Sequence, residues 1–265
     1  MFDITSLNEI LKSKTLSVLQ EEVLQALKLA PGETMTRELL FKLYSIDGNW
    51  ESALNQLEII SKLDSEYKKR TELYKNLVMS ELMREKVLKG ELKAGSLDAQ
   101  LPEWIETLHQ ANMALMQGDT EKSENLRIEA FEEAPESAGE SDASGAFSWI
   151  ADSDGRLGPV CEFICAGGYR WVPFSSIQSL TMSKPDNLLD LLWAPATLQV
   201  NDQTYSGYIP ARYPLSANAP QEIKLGHKTE WEQISDSLYI GAGRKVWLTD
   251  KDEHSILEVN SLTLF

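Results

Sequence analysis

The densest polar constellation in the chain is WIADSDGRLGP, residues 149–159, where Asp152, Asp154 and Arg156 crowd between Trp149 and a glycine-proline turn. Alternate acids of this kind suit three chemistries. They could open a calcium loop, but Leu157 and Phe163 stand where such a loop needs a glycine at position six and a bidentate glutamate at position twelve. They could act as an acid and base pair, which requires carboxyls about 5–9 Å apart across a cleft. Or they could organise the loop itself, an aspartate accepting backbone N–H groups while Arg156 pairs with a carboxylate. This third reading is the most economical. Its functional counterpart is a polar recognition surface in which Trp149, Asp152, Asp154 and Arg156 join Arg212 of IPARYP to contact a partner.

Other candidates for chemistry are sparse. His109 lies in a helical stretch, whereas His227 and His254 lie in polar loops, and none has an evident nucleophile beside it. Cys161 and Cys165 fall one turn apart if PVCEFICAGG forms a short helix from Pro159 to Gly167; they are expected as buried thiols, too far apart for a disulfide and lacking a second pair for zinc. No G-x-S-x-G elbow, Walker A loop, G-x-G-x-x-G turn or H-E-x-x-H helix occurs, and GAGRK at 241–245 lacks the rest of a phosphate loop. The sequence therefore calls for no metal and no cofactor.

The elements that must position these residues fall into two textures. Residues 1–135 are rich in helix formers, with apolar residues at three- and four-residue spacing, as in LLFKLYSIDGNWESALNQLEIISKLD. LKLAP at 27–31 and SKLDS at 61–65 are offset by 34, the tetratricopeptide period. Gly48 and Gly118, 70 apart, each mark a tight turn between two helices, and Lys14 takes the equivalent place in a degenerate first copy. Stacked hairpins bury one another's apolar stripes and leave a curved surface suited to a peptide or helix. Between the second and third hairpins, SEYKKRTELYKNLVMSELMREKVLKGE reads as one long helix with Leu73, Leu77, Val78, Met79, Leu82, Met83 and Val87 inside. Its Lys68, Lys69, Arg70 cluster reads as a solvated face, with docking of an acidic partner as the alternative.

PESAGESDASGA has connector composition and sets a boundary, so the expected organisation is a tetratricopeptide-like helical domain over 1–135, a linker over 136–146 and a β-rich domain over 147–265. In the last segment YRWVPF, IQSLTM, ATLQV, TYSGYIPARY, KVWLTD and SILEVNSLTL are aromatic and β-branched runs separated by turn signals. The fold class is α+β. Pro173 places its strand at a sheet edge or against a bulge, and most of Trp149, Trp171, Trp193, Trp231 and Trp247 belong in the core.

Charge and hydropathy narrow the function. Residues 1–135 carry 24 acids and 16 bases and the remainder 17 and 9, so each half stands at −8 of the total −16. A chain negative throughout repels nucleic acid and anionic membranes. With no long apolar span and no signal-peptide pattern, a cytoplasmic location is expected.

The ordered series SIDGNWESALNQLEIISKLD, FSWIADSDGRLGPVCEFICAGGYRWVPF, LLWAPATLQV, GYIPARYP and KTEWE resembles the ImpE family, also called SciE-type or TagJ proteins. The resemblance runs through nearly the whole chain, and its most specific block is F-x-W-I-A-D-x-D-x-R-L-G-P. It implies a non-enzymatic accessory protein of type VI secretion that binds the small (TssB-like) sheath subunit and influences its handling by a ClpV-type AAA+ ATPase. The alternative from the residues alone is an enzyme of unrecognised type with its site at Asp152, Asp154 and Arg156.

Overall fold

The computed structural model describes residues 4–97, 100–216 and 218–265. Helices come first: α1 (Ile4–Leu11), α2 (Leu16–Leu29), α3 (Thr34–Asp47), α4 (Trp50–Leu63), the long α5 (Lys68–Leu88), α6 (Glu103–Met116) and α7 (Thr120–Glu133). The two turns identified by glycine are built alike. Gly48 and Gly118 have φ of 78° and 81°, a left-handed conformation that favours glycine. In each, the next residue's N–H closes back on the helix just ended, Asn49 to Tyr44 at 2.9 Å and Asp119 to Ala114 at 3.0 Å. The same residue's side chain then caps the following helix, Asn49 accepting from the Ser52 N–H and Asp119 from the Lys122 N–H. Lys14 lies in the turn between α1 and α2.

The strands follow: β1 (Gly139–Ser141), β2 (Gly145–Phe147), β3 (Ile150–Asp152), β4 (Val160–Cys165), β5 (Gly168–Pro173), β6 (Ile177–Met182), β7 (Trp193–Val200) and β8 (Gln203–Pro210). A one-turn helix α8 (Gln221–Lys224) precedes β9 (Thr229–Gln233), β10 (Tyr239–Gly243), β11 (Val246–Thr249), β12 (Glu253–Ser255) and β13 (Ser261–Leu264). An eight-stranded antiparallel sheet runs β2-β1-β13-β6-β7-β8-β4-β5, beside a three-stranded sheet β12-β11-β3 and a two-stranded ribbon β10-β9. The β7–β8 hairpin turns on Asn201 and Asp202, both at positive φ, as a two-residue turn requires. The protein is α+β, helices preceding sheet. No helix among the described residues is long and apolar enough to cross a membrane.

Four expectations need correction. The stretch holding Cys161 and Cys165 is strand β4 and not a helix. Its residues alternate between two cores: Val160 and Ile164 join the cluster shared with Leu77, Val78 and Leu88 of α5, whereas Cys161 and Phe163 join the cluster of Phe174, Leu198 and Trp247. A strand buried on both faces loses the apolar alternation that would betray it. The supposed connector 136–146 carries β1 and the start of β2, paired Gly139 to Phe147, with β1 also laid against β13. On α5, Leu73 and Met79 are exposed while Ser80, Glu81 and Arg84 are buried, because that face meets charged residues of the sheet. His254 sits in β12 opposite Trp247 and not in a loop.

Pro173 ends β5, the outermost strand, whose free side meets the chain after α5 through a bond from the Trp171 N–H to the Gly95 carbonyl. Trp171, Trp193 and Trp247 are in the core; Trp149 is half-buried and Trp231 is exposed.

Candidate functional site

The parity that splits β4 between two cores points Glu162 at α5. There Arg84 grips it with both prongs of its guanidinium, Nε to Oε1 at 2.6 Å and the second nitrogen to Oε2 at 2.8 Å. Arg84 also reaches Glu81, one turn earlier on α5, and the Arg212 carbonyl. Glu81 in turn accepts from the Trp193 indole at 2.8 Å. On the other side of Glu162, Lys245 closes to 2.7 Å and bridges onward to Asp152 at 2.5 Å. The Tyr169 hydroxyl donates to Glu162, and the Tyr213 hydroxyl donates to Asp152 at 2.8 Å. Glu81, Arg84, Glu162, Lys245 and Asp152 thus form one buried chain of alternating charge linking α5, β4, β3 and the start of β11.

The Asp152–Arg156 loop hangs from this chain. Asp152 accepts the Asp154 N–H at 3.0 Å; Asp154 takes the Arg156 N–H and, in a two-pronged pair at 2.9 and 2.6 Å, its guanidinium. The Gly241 N–H of β10 donates at 3.0 Å to Asp154 Oδ2, the oxygen that also accepts from the Arg156 guanidinium. From the helices, Arg127 of α7 donates to the Gly155 carbonyl at 2.6 Å and Asn112 of α6 to the Arg156 carbonyl at 3.1 Å. The loop is therefore clamped from below by the sheet and from above by the third helical hairpin.

Burial alone would raise the carboxyl of Glu162; Arg84 and Lys245 reverse that and hold it well below the usual carboxylate range. Asp154 is likewise opposed by burial and brought down by Arg156 and backbone donors. Asp152 goes the other way, raised by burial and by the neighbouring carboxylates to about 6 against the pull of Lys245. Among the described residues no carboxylate pairs with Arg212: it donates to the carbonyls of Ser45, Ile46 and Lys224 at the ends of α3 and α8, and burial lowers it to about 9. Arg244 behaves similarly, spent on carbonyls of Leu191, Ala211 and Gly226 and lowered by burial to about 10.

Of the five residues expected to contact a partner, Asp152, Asp154 and Arg212 are buried and hydrogen-bonded to internal groups. Arg156 shows an edge but is locked on Asp154, and Trp149 is half-buried between β2 and β3. Arg212 does not join the Asp152–Arg156 loop; it binds helix ends. Sequence reasoning missed Glu81, Arg84, Glu162, Tyr169, Tyr213 and Lys245. The signals available were the charge inside VCEFIC, the Glu81/Arg84 spacing and the paired cations of GAGRK. Among the described residues no three His, Cys, Asp or Glu side chains gather as a metal set.

The ImpE protein family model matches residues 144–263, which contain the Asp152–Arg156 loop, β4 and Lys245. The type VI secretion system accessory component TagJ of Pseudomonas aeruginosa is 34% identical over 249 residues, covering 93% of this chain and 85% of that protein. The crystal structure of protein VPA1032 from Vibrio parahaemolyticus superposes with a TM-score of 0.87 at 28% identity, covering 94% of each chain. With a relative that similar across both the helical and the sheet segments, the chain belongs to the ImpE/TagJ family of type VI secretion accessory proteins.

Proposed function

We propose that this protein is a non-enzymatic adaptor of a type VI secretion system, which binds the small sheath subunit and influences its handling by the ClpV-type ATPase. One observation carries the reading: the charged residues that could have done chemistry are consumed inside the protein, while the helices leave apolar side chains in solvent. Leu29 is 89% exposed, Met35 68%, Met116 57% and Met79 54%. Methionine side chains on a helical surface adapt to an apolar partner face. Membership beside an accessory component called TagJ supplies the secretion context. Work in the cytoplasm, where sheath subunits and the ATPase meet, follows from that role.

The test is a pull-down with purified small sheath subunit and ATPase from the same organism, at low and moderate salt. Capture of the sheath subunit that survives moderate salt supports the adaptor. Failure to capture either component sinks it. Point variants serve better than deletion of the helical half, because α5 shares one core with β4, β5 and β7 and its removal would expose that core.

A further inference from the structure

The outer edge of strand β9 is open, and the bonds on the far side of its partner β10 fix which groups that edge offers. On that far side the Gly155 N–H donates to the Tyr239 carbonyl at 2.9 Å, the Gly241 N–H donates to Asp154 at 3.0 Å, and the Tyr213 N–H donates to the Gly243 carbonyl at 2.7 Å. Tyr239, Gly241 and Gly243 therefore turn their main-chain groups away from β9. They stand opposite Gln233, Trp231 and Thr229, and in an antiparallel pair two residues so placed point their N–H and C=O groups in opposite directions. Gln233, Trp231 and Thr229 thus present main-chain donors and acceptors outward. Among the described residues no strand lies beyond β9 and no loop main chain bonds to those groups.

Strand edges are normally blunted by a bulge, a proline or a lysine. β9 has none of these within it: TEWEQ runs five residues in unbroken register with β10. The ribbon is also held in place. Trp231 meets Tyr213 edge-on with ring centres 5.6 Å apart, Tyr213 is tied to Asp152, and a Cβ on Gly241 would fall 2.5 Å from Tyr213. An edge positioned before binding costs little to order.

The side chains decide what can pair there. Alternation puts Trp231 on the face toward Tyr213, where it stays 38% exposed, and Glu230 and Glu232 on the opposite face, both exposed. Glu230 reaches Lys228 at 2.8 Å, but both partners stand in water, where such a pair is weak and readily exchanged. A second copy of the chain is a poor occupant. Antiparallel pairing of β9 with itself about Trp231 sets Glu230 against Glu232 twice, between molecules of net charge −16. A strand with lysine or arginine opposite Glu230 and Glu232, and an apolar residue between them opposite Trp231, complements the edge in backbone, charge and apolar surface.

We infer that β9 is a docking edge for an extended segment of another protein in which basic residues alternate with apolar ones, added to the β9–β10 ribbon as a third strand. The inference stands apart from the adaptor reading, which the apolar helical surface carries.

The experiment uses the full-length protein and three short blocked peptides: alternating lysine and valine, alternating glutamate and valine, and the lysine–valine peptide N-methylated at its valines, the residues that would bond to Trp231 and its outward-facing neighbours. Binding is read by calorimetry and by hydrogen exchange of the β9 amides. The lysine–valine peptide binds and slows exchange of the Trp231 and Gln233 amides. The glutamate–valine peptide binds about tenfold or more weakly, and the N-methylated peptide does not bind. Gln233→Pro removes an outward donor without breaking a bond to β10, so it abolishes binding while circular dichroism is unchanged. Glu230→Lys with Glu232→Lys reverses the preference between the two charged peptides. If the lysine–valine peptide leaves the β9 amides unprotected, or the N-methylated peptide binds within about twofold of it, the docking edge is overturned. Protection of the same amides that rises with protein concentration in the absence of peptide would show a second copy on the edge and overturn it equally.

Discussion

Replacing Glu162 with glutamine removes the one carboxylate that faces both Arg84 and Lys245 and preserves the shape of the side chain. The two cations stay fully buried, Arg84 left with Glu81 and Lys245 with Asp152. Breaking a buried pair by removing one partner costs about 3–5 kcal/mol, because the surviving charge is stranded in low dielectric. For a chain of this size that corresponds to a fall in Tm of roughly 6–20 °C. The assay is urea unfolding followed by tryptophan fluorescence, with circular dichroism to confirm an unchanged native state. The paired control is Arg84→Met with Glu162→Met, which removes opposite charges together and should cost less than Glu162→Met alone. A loss below about 1 kcal/mol for Glu162→Gln, or a double variant worse than the single, would refute the reasoning that this network clamps helix to sheet.

The same network predicts a sign for pH. Glu162 takes up a proton more readily in the unfolded chain, near 4.5, than in the folded one, so its contribution is complete above that value and is lost as pH falls below it; wild type should lose stability toward acid more steeply than Glu162→Gln. Asp152, raised from 3.8 to about 6, contributes stability below 3.8 that is lost as pH rises through 6, so Asp152→Asn should flatten the profile between those values in the same urea series. Gly48→Ala and Gly118→Ala each force a left-handed residue at about 1–2 kcal/mol, and Gly48→Ala should lose more, because its Cβ meets Leu215 at 3.3 Å whereas Gly118 opens on space; thermal unfolding ranks them. In native protein a thiol reagent should modify Cys165 slowly and Cys161 not at all until urea unfolds the chain, since burial raises both thiols and encloses Cys161 completely.

The helical hairpins were legible because their turns depend on local chemistry: a glycine at positive φ, then an asparagine or aspartate that caps the next helix, can be read from GN at 48–49 and GD at 118–119. The edge position of Pro173 was legible for the same reason, since a missing N–H restricts where a strand lies. The organising role of Asp154 and Arg156 followed from groups two residues apart. What escaped depends on distance in sequence. Glu162 drew no notice because its partners Arg84 and Lys245 lie 78 residues before it and 83 after it. Without them a carboxylate could not sit in a strand buried on both faces. The short β1 and β2 escaped because Gly139 and Gly145 resemble a linker until β13, more than a hundred residues later, supplies the pairing.

Calorimetric titration of the full-length protein with purified small sheath subunit, run beside the ClpV-type ATPase, tests the central claim most directly. Saturable binding of the sheath subunit is the result the adaptor account predicts. No heat and no co-elution with either component, from a protein that unfolds cooperatively and is therefore intact, would contradict it.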